Sequence, residues 1–290
     1  MDVSAKSLIL DLLVTVRNGS MPVRALVAAG ALFGVAENSV RVALARLLAA
    51  EQIERDERGQ YRLGARVHAV RAQVDSWRTR ERNTVAWDGT WVGVLTNPGP
   101  PAPTRKQQRL DARALRFLAF RALTRTLEVR PNNLRGGVQT VRAQLQSLGI
   151  SPAVLVFSVG ALDPQTQQRA QSLWNVQKLE SGYRTAVQTL ARSEARLARL
   201  PARQAMVESF VVGGRVIRTL VLDPLLPDAI APAAARQELS EAMRRYDRLG
   251  RACWSGFRRA FGIAHQRAPL DTRLSSSADG FGTAVGEGVA

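Results

Sequence analysis

A candidate binding surface is encoded between positions 38 and 46. Val40, Leu44 and Leu47 recur at i, i+4 and i+7 and predict the buried stripe of a helix over 37–51. Asn38, Val42, Ala45 and Arg46 then share the opposite face, flanked by Ser39 and Arg41. Such a face suits the major groove of duplex DNA, where side chains reach base edges. Arg46 can fork onto guanine O6 and N7 or onto a phosphate, and Asn38 can pair with adenine. Ser39, at the helix start, suits a phosphate. Arg41, on the flank, suits the backbone, and Val42 completes the exposed face. Arg58 stands at the tip of a charged turn over 56–59, where a minor-groove or backbone contact is expected. The plainer alternative is that these arginines are a solvated face on a protein-protein module.

These side chains need elements to hold them. Ser4 and Ser7 suit the N-cap of a first helix over 4–16, whose apolar residues are Leu8, Ile9, Leu12, Leu13 and Val16. Asn18-Gly19-Ser20 ends it as a turn, and Pro22 suits the first turn of a second helix over 23–29. Gly30 stops that helix, and Phe33-Gly34-Val35 makes a tight connection to the third. Ile53, Tyr61 and Leu63 then alternate around the charged, glycine-containing turn and predict a hairpin. Three helices followed by a hairpin is the order of a winged helix-turn-helix, here over 1–82.

A second unit is expected over 83–162. It has a strand over 91–96, a proline-rich loop over 97–103, a helix reaching 122, a short strand over 126–130, a helix carrying Val138, Val141, Leu145 and Leu148, and a strand over 154–159 that is apolar on both faces. The rhythm predicts a ferredoxin-like α/β sandwich. Over 163–265 the chain reads as mainly helical: Leu173, Val176, Leu179, Tyr183, Val187 and Leu190 step by three and four, and the period resumes from 236 to 261. Gly136-Gly137 and Gly213-Gly214 read as turns, and the apolar run 216–222 is cut by Asp223-Pro224. Residues 266–290 are expected to be a disordered tail. The fold class is α+β.

Charge bounds the partners. Among 290 residues, 41 lysines and arginines stand against 24 acids, a net +17, and all but Lys6, Lys106 and Lys178 of those bases are arginines. Such a surplus favours polyanions. The middle block is the most basic for its length: Arg105, Lys106, Arg109, Arg113, Arg116, Arg121 and Arg125 are opposed within that segment only by Asp111. Arg109, Arg113 and Arg116 share one helical face and are candidate phosphate contacts, against the alternative of a solvated face or an extra DNA-backbone contact.

Phe33-Gly34-Val35-Ala36-Glu37-Asn38-Ser39-Val40-Arg41-Val42-Ala43-Leu44-Ala45-Arg46-Leu47 resembles the helix-turn-helix of the PaaX family of transcriptional repressors. So does Ser7-Leu8-Ile9-Leu10. Further resemblances are Trp87-Asp88-Gly89-Thr90-Trp91, Leu127-Glu128-Val129-Arg130-Pro131-Asn132-Asn133-Leu134 and Asp223-Pro224-Leu225-Leu226-Pro227. After Pro227 the chain departs from the family pattern, running Asp228-Ala-Ile-Ala-Pro-Ala-Ala-Ala235. The resemblance implies a homodimeric repressor on a palindromic operator of double-stranded DNA, with a Cas2-like central domain. It implies release by an acyl-CoA effector such as phenylacetyl-CoA, in phenylacetate catabolism. Arg109, Arg113 and Arg116 would then meet the effector's phosphates.

Chemistry of other classes is thinly represented. His68 and His265 stand in no nucleophile or metal motif, Cys253 beside Trp254 reads as a packed thiol, and no Gly-rich phosphate loop or Gly-x-Ser-x-Gly occurs. A Cas2-like nuclease wants a carboxylate at the end of its first strand, and Leu95-Thr96-Asn97 offers none. We therefore expect no catalytic residues, no metal, no cofactor and no enzyme. A nucleic-acid-processing enzyme and an interaction scaffold are the alternatives. No apolar run is long enough to span a membrane, no leader is evident, and a cytoplasmic chain is expected.

Overall fold

The computed structural model describes residues 4–16, 20–67, 74, 76–96 and 103–263. Among them the chain is α+β, with two antiparallel sheets. It begins with α1 (Ala5–Thr15), β1 (Ser20–Pro22), α2 (Val23–Leu32), α3 (Glu37–Ala49), β2 (Ile53–Arg55) and β3 (Gln60–Leu63). Ser4 caps α1, its Oγ accepting the Ser7 N–H at 3.2 Å. The sheet order is β1-β3-β2. Strand β1 corrects the reading of Ser20 as turn and Pro22 as helix: Met21 is buried opposite Tyr61, and Pro22 sits at the N-cap of α2. Leu8, Leu12, Leu13, Leu26, Val40, Leu44, Leu47 and Ile53 close one core behind α3.

Three single 3-10 turns (Ala65–Val67, Ser76–Arg78, Arg80–Asn83) follow. The second sheet is built from β4 (Trp91–Leu95), β5 (Arg121–Ala122), β6 (Leu127–Pro131) and β7 (Leu155–Val159) in the order β5-β6-β4-β7, all antiparallel. Helices α4 (Arg105–Phe117) and α5 (Gly137–Ser147) cross between strands. Val92 and Val94 face them, with Leu115, Leu118, Val141 and Leu145. The helix expected to reach 122 ends early, because Ala119 turns left-handed (φ 60°) and frees Arg121 and Ala122 to pair with β6. Strand β7 is an edge strand, not one buried on both faces. Leu155 is 54% exposed and Phe157 39%. The Val156 carbonyl accepts the Arg142 Nη2 at 2.6 Å.

The rest is helical: α6 (Pro164–Gln171), α7 (Val176–Leu197), α8 (Ala202–Val221), α9 (Ala234–Cys253) and α10 (Ser255–Ala260). Two expectations fail here. The period over 236–261 is broken at Trp254, which separates α9 from α10. Gly213-Gly214 is no turn but the middle of α8, where Gly213 is buried against Tyr246 and Met243 of α9. The expectations for His68, His265, the loop 97–102 and the tail 266–290 lie outside the described residues.

Helix α8 ties the parts together. Its later residues pack with α7 and α9 through Val212, Val216, Leu239, Met243 and Tyr246. Its first half, with Met206 and Phe210, joins the N-terminal core, as do Trp254, Phe257 and Ile263. No helix among the described residues is long and apolar enough to cross a membrane.

Gly30 marks a close approach of α2 to α3: a Cβ there would stand 2.7 Å from Val40 Cγ2. Gly30→Val is expected to destabilise the chain by about 1–3 kcal/mol through overpacking, read as a fall in the denaturant midpoint at unchanged slope.

Candidate nucleic-acid interface

The outward side of α3 is exposed among the described residues. Asn38, Ser39, Arg41, Val42, Ala45 and Arg46 are all exposed, and Val42, an apolar residue, is 42% exposed among polar neighbours. Behind them Val40, Ala43, Leu44 and Leu47 are buried on α1 and α2. The face is thus held by its back, and its front makes no demand on the fold.

A cleft of about 410 Å³ runs along this face, lined by Asn38, Ser39, Val42 and Arg46 on α3 and by Ser4, Ala5 and Lys6 at the start of α1. Ser4 and Lys6 are residues that the spacing argument on α3 does not reach. Ser4 as an N-cap and Lys6 as one of three lysines were the available signals, but nothing in the sequence shows α1 starting beside α3. The first turn of α1 leaves backbone N–H groups without intrahelical partners, and Lys6 adds a cation. Cation, amides and hydroxyls beside an exposed α3 arginine suit phosphate oxygens.

The other predicted residues differ in surroundings. Arg41 is paired to Glu37 one turn back, with Nη2 at 2.7 Å and Nε donating at 2.8 Å to the same oxygen. Arg58 rides on the hairpin turn, where the Asp56 Oδ1 accepts the N–H of Arg58 at 3.0 Å and of Gln60 at 2.8 Å, and Gly59 takes φ 71°. Of the hairpin's other cations, Arg62 is paired to Glu54 at 2.8 Å, and Arg55 lies over the Tyr61 ring at 5.9 Å. Arg58 also borders a second cleft of about 650 Å³ with Arg55, Gln60, Gly262 and Ile263.

Arg109, Arg113 and Arg116 are exposed on α4 and line neither cleft. The Arg116 Nε donates to the Ala112 carbonyl at 3.2 Å. Asp111, the one acid of α4, is turned inward, accepting the Ser151 N–H at 2.8 Å and the Gln107 amide at 2.7 Å. The basic strip is therefore not neutralised by its own helix.

The turn before α3 is held from outside. The Phe33 ring meets Phe210 of α8 edge-on at 5.3 Å, Phe210 meets Trp254 at 5.7 Å, and the Trp254 indole N–H donates to the Met206 carbonyl at 3.0 Å. Partial desolvation raises the Asp11 carboxyl on α1 from its ordinary value, partly offset by Arg218 of α8. Among the described residues no group of three or more His, Cys, Asp or Glu is placed to hold a metal ion.

The family model of PaaX-like proteins matches residues 4–67, the span that carries α1 to β3 and both clefts' polar walls. No curated protein matches the chain. Among solved structures, the chain is similar to an uncharacterized protein from Mycobacterium tuberculosis, at TM-score 0.55 and 22% identity over 87% of this chain and 99% of that one. That likeness concerns the fold alone.

The Glu37–Arg41 pair is solvent-exposed, so Glu37→Ala is expected to change stability by less than about 1 kcal/mol. It removes an anion from the rim of the α3 face and frees a guanidinium. Affinity for duplex DNA in a fluorescence-anisotropy titration at fixed salt is expected to rise, with a steeper salt slope.

Proposed function

We propose that this chain is a sequence-specific DNA-binding regulator of transcription, a repressor that binds a palindromic operator as a homodimer in the cytoplasm. The observation that carries this reading is the exposed polar face of α3, set on a packed core and bordered by Lys6 and the start of α1. Arg46 and Asn38 read base edges, Val42 meets a thymine methyl, and Ser39, Arg41, Ser4 and Lys6 take phosphates. Arg58 contacts the backbone or minor groove from the hairpin, the wing of a winged helix-turn-helix over 1–82. The match of the PaaX-like family model over 4–67 supports the same assignment.

In this reading a ferredoxin-like, Cas2-like unit over 83–162 and a helical unit over 163–265 set the spacing of two heads. The sheet order β5-β6-β4-β7 supports the first of these. The exposed Leu155 and Phe157 on the second sheet support self-association, being apolar and uncharged on a chain of net +17. The effector is an acyl-CoA of the aryl-acetyl type, its phosphates met by Arg109, Arg113 and Arg116, with phenylacetate catabolism as the setting. It lowers operator affinity by binding better to the arrangement in which the heads are misplaced, and only by that difference in affinity. The chain is not an enzyme in this reading.

A gel-shift against the DNA upstream of the chain's own gene tests it. Specific retention is expected over a random duplex, lost on adding phenylacetyl-CoA. Arg46→Ala is expected to cost about 1–3 kcal/mol of binding. Equal retention of random duplex removes the sequence-specific reading. Release that persists unchanged in an Arg109→Ala, Arg113→Ala double variant removes α4 as the effector's phosphate site.

A further inference from the structure

Far from α3, where the 3-10 turn Arg80–Asn83, strand β6 and the loop after α8 meet, the chain buries more positive than negative charge. Arg130 is only 2% exposed on the helix-covered side of β6. Its Nη1 donates to the Leu118 carbonyl at 2.9 Å, and its Nε reaches the Pro131 carbonyl at 3.4 Å. Its Nη2 has no partner among the described residues, and the charged neighbour that bears on it is another cation, Arg80. Arg80 is spent on backbone, donating to the Leu220 and Val221 carbonyls at the end of α8.

Arg236 is the third buried guanidinium. Its Nη1 donates to the Leu226 carbonyl at 3.2 Å, it stands 3.9 Å from both Asp223 and Glu81, beyond hydrogen-bond range, and its Nε is unpartnered. Asp223 Oδ1 accepts the Leu225 N–H at 2.7 Å while its Oδ2 has no partner among the described residues, and Glu81 accepts the Ser240 hydroxyl at 2.7 Å. Asn133 donates to the Leu225 carbonyl at 2.6 Å, leaving its own carbonyl oxygen unpartnered. Three guanidiniums thus stand against two carboxylates, with Arg130, Arg236 and Asp223 buried and Arg80 and Glu81 partly so, and an uncompensated charge in such a setting is costly. Burial and the nearby Arg80 push the Arg130 guanidinium down to about 9.

We propose that this junction is a binding site for a small oxyanion, a carboxylate or phosphate group, taken by Arg130 with Arg80 and Arg236. Such an anion supplies the missing negative charge and accepts from the two idle donors, Arg130 Nη2 and Arg236 Nε. The site is separate from α4, whose arginines are exposed. Arg80 grips the last carbonyls of α8, and the other half of that helix holds Phe33 through Phe210. Phe210 stands near the middle of that helix, about 15 Å along its axis from Leu220, so the junction and the contact to the turn before α3 are joined by one rigid segment. Occupancy therefore biases the position of α3. The biasing step has regulatory meaning only if α3 binds DNA as proposed above; the anion site does not depend on that reading.

The test uses the full chain without DNA. Its melting temperature is followed against sodium phosphate and, separately, sodium acetate, each at ionic strength matched with sodium chloride. A saturable rise with either supports the site, and whichever acts names the head group. The rise is expected to vanish in Arg130→Met and to persist in Arg192→Met, an exposed cation of α7. If Arg130→Met does not fold, Arg236→Gln takes its place, with the same loss expected. No saturable response, or one unchanged in the junction variant that folds, overturns the proposal. Hydrogen exchange across 30–40 then reads the coupling: slowed or quickened exchange on adding the active anion supports it, and unchanged exchange there overturns it.

Discussion

The edge-on contact of Phe33 with Phe210 is the constraint on which the placement of everything outward depends. Phe33 ends α2 and begins the turn that aims α3, so whatever fixes its ring fixes the direction of the exposed face. That ring is fixed by residues more than a hundred positions away, on α8 and at Trp254. The N-terminal helices accordingly share one apolar core with the C-terminal ones, through Met206, Phe210, Trp254 and Ile263. They are not beads on a tether. A polar face presented by a tethered unit would sample many directions, whereas this one is pre-set, and pre-setting removes ordering cost from any later binding.

Charge is arranged on a similar logic of separation. The acids that could quench the basic surfaces are turned away or already engaged: Asp111 faces inward from α4, Asp56 is occupied with its own turn, and Glu54 is paired with Arg62. On α4 the charges left outward are arginine and lysine. What is buried at the far end of α8 is also dominated by arginine, and there the solvent that makes exposed guanidiniums cheap to keep is gone.

Helix α3 was legible because both of its faces are coded locally. Val40, Leu44 and Leu47 mark the back, and the polar residues between them mark the front. Strand β1 was not, because three residues cannot announce a strand on their own; Met21 is ordered by Tyr61 on β3. The glycine pair at 213–214 misled because the local preference of glycine for turns is overridden by the room its missing side chain gives Tyr246 and Met243. Arg130 was invisible as a buried charge. In Leu127-Glu128-Val129-Arg130 it reads as the polar member of an alternating strand, and only the chain doubling back as α4 puts a roof on it. Lys6 and Ser4 join the α3 face for the same non-local reason.

Arg142 has a consequence beyond the hydrogen bond it makes. An outermost strand offers its idle backbone groups to any extended peptide that drifts past, and Leu-Val-Phe-Ser-Val is an adhesive sequence to offer. By covering the Val156 carbonyl, the guanidinium spoils the ladder near its start and sets a positive charge beside it. The rim of the sheet is thereby guarded against runaway fibril-like stacking, while Leu155 and Phe157 remain available to a neighbour that approaches flat rather than edge to edge.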